Sequence, residues 1–166
     1  MLEQATLVIH AWAQMSQVDG TFAWTRRIDN GAGLPLGFLR FVGDPSGSWF
    51  AWLRALRLEI FETDDASFLI SVTRSWGLLR TWVIQDADEQ LVGSIYGDAL
   101  LTSEKDVAGE IDRDQRRIAD STGKTIATYV ENVGRVELTF ADLPANPFLR
   151  MLILGCVVSL EAKPNC

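Results

Sequence analysis

Apolar and polar residues alternate along most of this chain. Leu56, Leu58 and Ile60 alternate with Arg57, Glu59 and Phe61, and after the turn segment 62–67 Phe68, Ile70 and Val72 alternate with Leu69, Ser71 and Thr73. A period of two is the signature of strands with one face toward a core. Further short runs read the same way: TFAWTRRI at 21–28, LGFLRFV at 36–42, LRTWVIQ at 79–85, LVGSIY at 91–96, RRIAD at 116–120, TIATYV at 125–130 and RVELTF at 135–140. Gly, Asp, Asn or Ser bounds each of them, and many short strands at regular spacing predict an antiparallel sandwich or barrel.

An internal repeat narrows the choice. VIQDADEQLVGSI at 83–95 aligns with RIADSTGKTIATY at 117–129 at an offset of 34 residues, and IDNGAGLPLGF at 28–38 is a looser third copy. Each copy reads strand, turn, strand, with the acid bonding the turn backbone ahead of it and Gly93 or Ala127 relieving crowding where a strand bends. The repeating unit is a β-hairpin.

One segment breaks the period. Asn146 followed by Pro147 is a helix cap with proline at the first helical position, and Lys163 with Pro164 supplies the stop, so a helix is expected from about Pro147 to Leu160. Phe148, Leu149, Met151, Leu152, Ile153, Leu154, Cys156, Val157, Val158 and Leu160 place apolar side chains on every face of it. Such a helix has to be buried on all sides. In a chain otherwise made of strands the sheet must wrap it, and the expected fold is mainly β: a closed antiparallel barrel around a central hydrophobic C-terminal helix roughly 20 Å long.

The hairpins at 82–95 and 116–130 and the closing run NPFLRMLILGCVVSLE at 146–161 resemble the tubby C-terminal-like superfamily, in particular its phospholipid-scramblase and LURP-one-related branch. The resemblance covers about residues 20–161 and lies in apolar, Gly and Asp positions. It implies a barrel of about twelve strands threaded by the C-terminal helix, and an association with membrane lipid. The chain departs from scramblases in having no Pro-rich extension and no Cys cluster, and the stretch before its helix, LTFADLPANP, holds Asp142 as its sole acid. Calcium-dependent scrambling is therefore not carried over, nor is any phosphoinositide-binding residue.

Composition adds bounds. The 166 residues are 48% hydrophobic and 22% charged, which suits one folded domain spanning 1–166. The net charge of −7 argues against a general nucleic-acid binder, which needs many cations to neutralise phosphates. The N-terminus has no basic region ahead of its first apolar run, and the 13-residue stretch 148–160 contains Arg150, so neither a signal peptide nor a membrane span is expected. The two cysteines, Cys156 and Cys166, suggest no disulfide framework, which makes the cytoplasm, with at most peripheral membrane attachment, the expected compartment.

Catalytic signatures fail on inspection. Gly123-Lys124-Thr125 lacks the second glycine of a phosphate loop, that position being Ile118, and a hairpin turn explains Gly123. Gly31-Ala32-Gly33 opens no helix, and the acids at 86–89 have Leu91 and Gly97 where a calcium loop needs Gly and Glu. His10, the one histidine, sits in an apolar strand-like run, and Cys156 in a buried helix is an inert hydrophobe. No enzyme, metal or cofactor is expected.

Charge is divided along the chain instead. Residues 86–114 carry nine carboxylates against two cations, while residues 24–57 carry Arg26, Arg27, Arg40, Arg54 and Arg57 against two acids, a local balance of +3. Trp49, Phe50 and Trp52 lie in the same segment. Those arginines are the candidate contacts for an anionic lipid headgroup, and the aromatics the candidate membrane-surface contacts. The competing reading puts aromatics in the core and arginines in water as ordinary strand alternation. Two functions follow as expectations: a non-enzymatic barrel that binds anionic phospholipid as a peripheral adaptor, or a protein-interaction scaffold that uses the acidic 86–114 face. A carrier for a small ligand is disfavoured, because the helix fills the barrel.

Overall fold

The computed structural model describes residues 1–14, 24–42, 56–63, 67–74, 81–141 and 144–160. Its strands are β1 (Thr6–His10), β2 (Ala13–Gln14), β3 (Trp24–Asn30), β4 (Pro35–Val42), β5 (Arg57–Glu62), β6 (Phe68–Arg74), β7 (Thr81–Asp86), β8 (Leu91–Tyr96), β9 (Ala99–Thr102), β10 (Val107–Asp112), β11 (Arg117–Asp120), β12 (Thr125–Asn132) and β13 (Arg135–Phe140), followed by α1 (Pro147–Leu160). From β3 to β13 every strand pairs antiparallel with its successor. β1 pairs with β13 on one side and β3 on the other, which closes twelve strands into a barrel, while β2 extends the rim by pairing with the start of β3.

The interior follows from alternation. Leu7 and Ile9, Ile28, Leu39, Leu58 and Ile60, Ile70 and Val72, Ile84, Leu100, Ile118 and Leu138 are all buried. A twelve-stranded barrel is too wide for wall side chains alone to fill. α1 supplies the missing volume: Leu152 to Ser159 are buried without interruption, more than two turns and therefore every face. The helix bonds the backbone N–H groups of this stretch to carbonyls one turn back, and the buried Ser159 hydroxyl donates to the Cys156 carbonyl at 2.7 Å. Asn146 caps the helix, its side-chain oxygen accepting the Phe148 N–H at 2.9 Å. The expected stop at Lys163 and Pro164 lies outside the described residues.

Three strands were not expected from the pattern: the two-residue β2, and β9 and β10. β9 is four residues long, and β10 interrupts its apolar positions with Gly109 and Glu110, so the segment reads as an acidic loop although it forms two ladders. The first helical turn also differs from expectation. Phe148 is half exposed, because α1 begins outside the mouth of the barrel and enters it only from Leu152.

The hairpin repeat is a shared turn geometry. Asn30, Asp86, Thr102 and Asp120 each donate the backbone N–H to the carbonyl four residues ahead and accept an N–H from the residue three ahead. In each, a side-chain oxygen also accepts the N–H four residues on, at 2.9, 2.8, 3.2 and 3.0 Å. The residue three ahead takes positive φ in all four: Gly33 at 81°, Glu89 at 59°, Lys105 at 70° and Gly123 at 84°. Each of these hairpins also carries a β-bulge near the turn, which bends the strand and increases its twist. The Thr122 hydroxyl holds the Asp120 carboxyl below its ordinary value of 3.8. A lowered folded-state value stabilises above the ordinary pKa, and that contribution disappears as pH falls through the lowered one. All four turns lie at the same end of the barrel, where α1 enters.

Candidate functional site

The register of β3, β4 and β5 decides where the arginines go. Adjacent strand residues face opposite sides, so Arg26 and Arg27 part company. Arg26 shares its face with Ile28 and is 3% exposed; its Nε donates to the His10 carbonyl and its guanidinium lies over the Trp12 ring, 5.4 Å from the centroid. It is a packed interior cation and leaves the set of exposed candidates.

Arg27, Arg40 and Arg57 all point outward on three consecutive strands. Arg40 stands directly opposite Glu59 in the ladder, and Arg57 is two residues from Glu59 on the same face of β5. Glu59 is buried and takes both: Arg40 contacts Oε2, and Arg57 Nε lies 3.0 Å from Oε1. Arg27 bonds Asp29 at 2.5 Å, and His10 Nε2 bonds the same Asp29 oxygen at 2.8 Å. His10 is thus a strand residue with a satisfied ring nitrogen. The carboxylates lie beneath while the arginine side chains stay 41 to 60% exposed.

A row of rings runs beside these guanidiniums. Phe38 and Phe61 stack at 4.9 Å between centroids, Phe68 adjoins Phe61 at 5.6 Å, and the Arg40 guanidinium lies 4.9 Å over Phe61. Cation–π contact holds the fork flat against the wall with a face open to solvent. Sequence reading missed this row, although alternation in FLRFV and LEIF already placed Phe38 and Phe61 opposite the core positions. Arg54, Trp49, Phe50 and Trp52 lie outside the described residues.

A second feature occupies the turn end. Between the first turn of α1 and the β7–β8 and β9–β10 turns lies a cleft of about 410 Å³. Val92, Ala108, Leu149 and Leu152 line its apolar wall, with Leu91 45% and Phe148 51% exposed at its lip. Asp86, Thr102 and Asn146 line its polar side. Arg150 fixes the helix at this mouth, bonding the Pro144 carbonyl through Nε and the Leu2 carbonyl at 3.1 Å. An open polar groove of about 900 Å³ beside β10 and β11 is crossed by the ion pairs Arg113–Asp98 and Arg117–Asp112.

Among the described residues no group of three or more His, Cys, Asp and Glu is placed to hold a metal, and no helix is long and apolar enough to cross a membrane. Cys156 sits among apolar side chains, and burial pushes its thiol up to about 12. Its thiolate is therefore scarce at neutral pH. Alkylation of Cys156 in the folded protein at pH 8 should run at least about a thousand-fold slower than in the denatured chain, as mass spectrometry of the peptide carrying it would read. Equal rates would show that the helix is not enclosed. No family model, no curated protein and no solved structure matches the chain.

Proposed function

We propose that this chain is a non-enzymatic, tubby-like barrel of the scramblase and LURP-one-related branch that binds anionic phospholipid, working as a peripheral membrane adaptor through the outer wall of β3, β4 and β5. The observation that carries the reading is the arrangement around Glu59: two arginines share one sheltered carboxylate, so the cluster keeps an excess positive charge at the surface. Each cation near an anionic bilayer contributes about 1 kcal/mol. The neighbouring Phe38, Phe61 and Phe68 add partly exposed aromatic surface suited to the interfacial zone. The closed barrel around a C-terminal helix agrees with the architecture that the family resemblance implies.

The test is co-sedimentation with vesicles of phosphatidylcholine alone and with phosphatidylserine added. Arg40→Gln/Arg57→Gln/Glu59→Gln removes the cluster together with its carboxylate, so no buried charge is stranded. Binding should require phosphatidylserine, weaken with salt and drop several-fold in the triple variant. Binding that is absent, or equal in the variant, overturns the proposal.

A further inference from the structure

We infer that the cleft at the turn end is a docking site for a basic segment of a partner protein, which inserts one large apolar side chain between Leu91 and Phe148 and sets Lys or Arg against the acidic turns beside them. It uses none of the residues of the arginine wall, so it stands or falls separately from the lipid reading.

The cavity is the first reason. Its 410 Å³ lies toward the lower end of the roughly 300–1,000 Å³ of ligand pockets. Its inner wall is the buried Val92 and Leu152, and its lip is half-exposed Leu91 and Phe148. An apolar patch of this kind inside a polar rim marks an interaction site. Phe148 is the informative residue, since the helix could begin with a polar side chain there at no cost to its burial, which starts at Leu152.

Charge identifies the occupant. The β7–β8 turn presents Asp86, Asp88 and Glu89, and the β9–β10 turn presents Glu104 and Asp106 against Lys105. The two turns that flank the cleft therefore carry five carboxylates and one cation. One oxygen of Asp86, Oδ1, is committed to the N–H groups of Asp88 and Gln90, and Oδ2 makes no hydrogen bond among the described residues. An anionic headgroup would be repelled here, whereas an ammonium or guanidinium adjoining an apolar anchor meets Asp86 at the cleft wall and the further carboxylates of the turns around it. The turns are already fixed by their own backbone and side-chain bonds, so little ordering is needed on binding.

The probe is a hexapeptide, KKLWKK, titrated into the ¹⁵N-labelled full chain to about 1 mM, a range that reports even weak affinity. Amide shifts should concentrate at residues 86–92, 102–108 and 146–152. The charge-swapped peptide EELWEE should bind about ten-fold more weakly or worse, and so should KKLWKK to the variant Leu91→Ser/Phe148→Ser. Because both side chains are half exposed, that variant should fold, and the peptide swap on the unaltered chain decides the charge question independently. No shifts at the highest concentration, shifts centred on β3 to β5, or equal binding of the two peptides overturns the inference.

Discussion

Replacing Ile153 with Asp should prevent the chain from reaching its native state. Ile153 is fully buried in the middle of α1, within the stretch Leu152 to Ser159 that is buried without interruption. An ionised carboxylate there is cut off from water among apolar side chains, and the interior cation Arg26 is already engaged by the His10 carbonyl and the Trp12 ring. The penalty of several kcal/mol is comparable to the entire 5–15 kcal/mol by which a domain of this size is stable. Near-ultraviolet circular dichroism should lose its native signal, and a hydrophobic dye should bind. Ile153→Leu keeps the volume and should cost less than about 1.5 kcal/mol. A cooperative unfolding transition of the Asp variant near that of the parent would mean the helix has a wet face, which an enclosed helix cannot have.

Gly93→Val should destabilise by about 3 kcal/mol or more, at the upper end for overpacking. A Cβ at Gly93 would stand 2.3 Å from the Leu101 carbonyl oxygen and 3.2 Å from a Leu152 methyl. The first neighbour is backbone in the next strand of a closed sheet, so relief requires moving a strand that is bonded on both sides. Gly93→Ala should cost less than valine, having no γ-carbons to place against α1. Gly33→Ala makes the useful contrast: nothing lies within 4 Å of the added carbon, and the positive φ of 81° accounts for its whole cost of roughly 1 kcal/mol. Denaturant melts of the three variants would rank them, and a valine variant no worse than Gly33→Ala would refute the close-packing account.

These two positions show how differently the pattern of residues can be read. Ile153 was legible because an all-round apolar helix among strands has few places to go. Gly93 was legible as the counterpart of Ala127 in the hairpin repeat, but the reason for its size lies in an approach to Leu101 that no local spacing reports. The repeat itself was visible through Asp86, Asp120 and, more loosely, Asn30. Its fourth member at Thr102 was not, because Thr replaces the acid, its hydroxyl accepting the Asp106 N–H in the carboxylate's place.

The arginine set illustrates the same division. Composition located five arginines in one segment, and alternation alone requires Arg26 and Arg27 to face opposite sides. Which of them faces inward depends on sharing a side with Ile28, and the meeting of Arg40 with Glu59 depends on the β4–β5 register across a long connection. The cleft was less legible still, since Leu91 reads as strand core and Phe148 as helix core until the two are seen beside each other at a mouth.

By itself, then, the sequence determined the class of the fold, the hairpin unit, the span of the helix and the need to enclose it, because periodicity, capping and turn chemistry act between near neighbours. The tertiary structure decided which charges are sheltered and which stay open, where the helix emerges, and what lies across from each strand. Those outcomes depend on register and closure, which bring together residues far apart in the chain, and side-chain period cannot fix them.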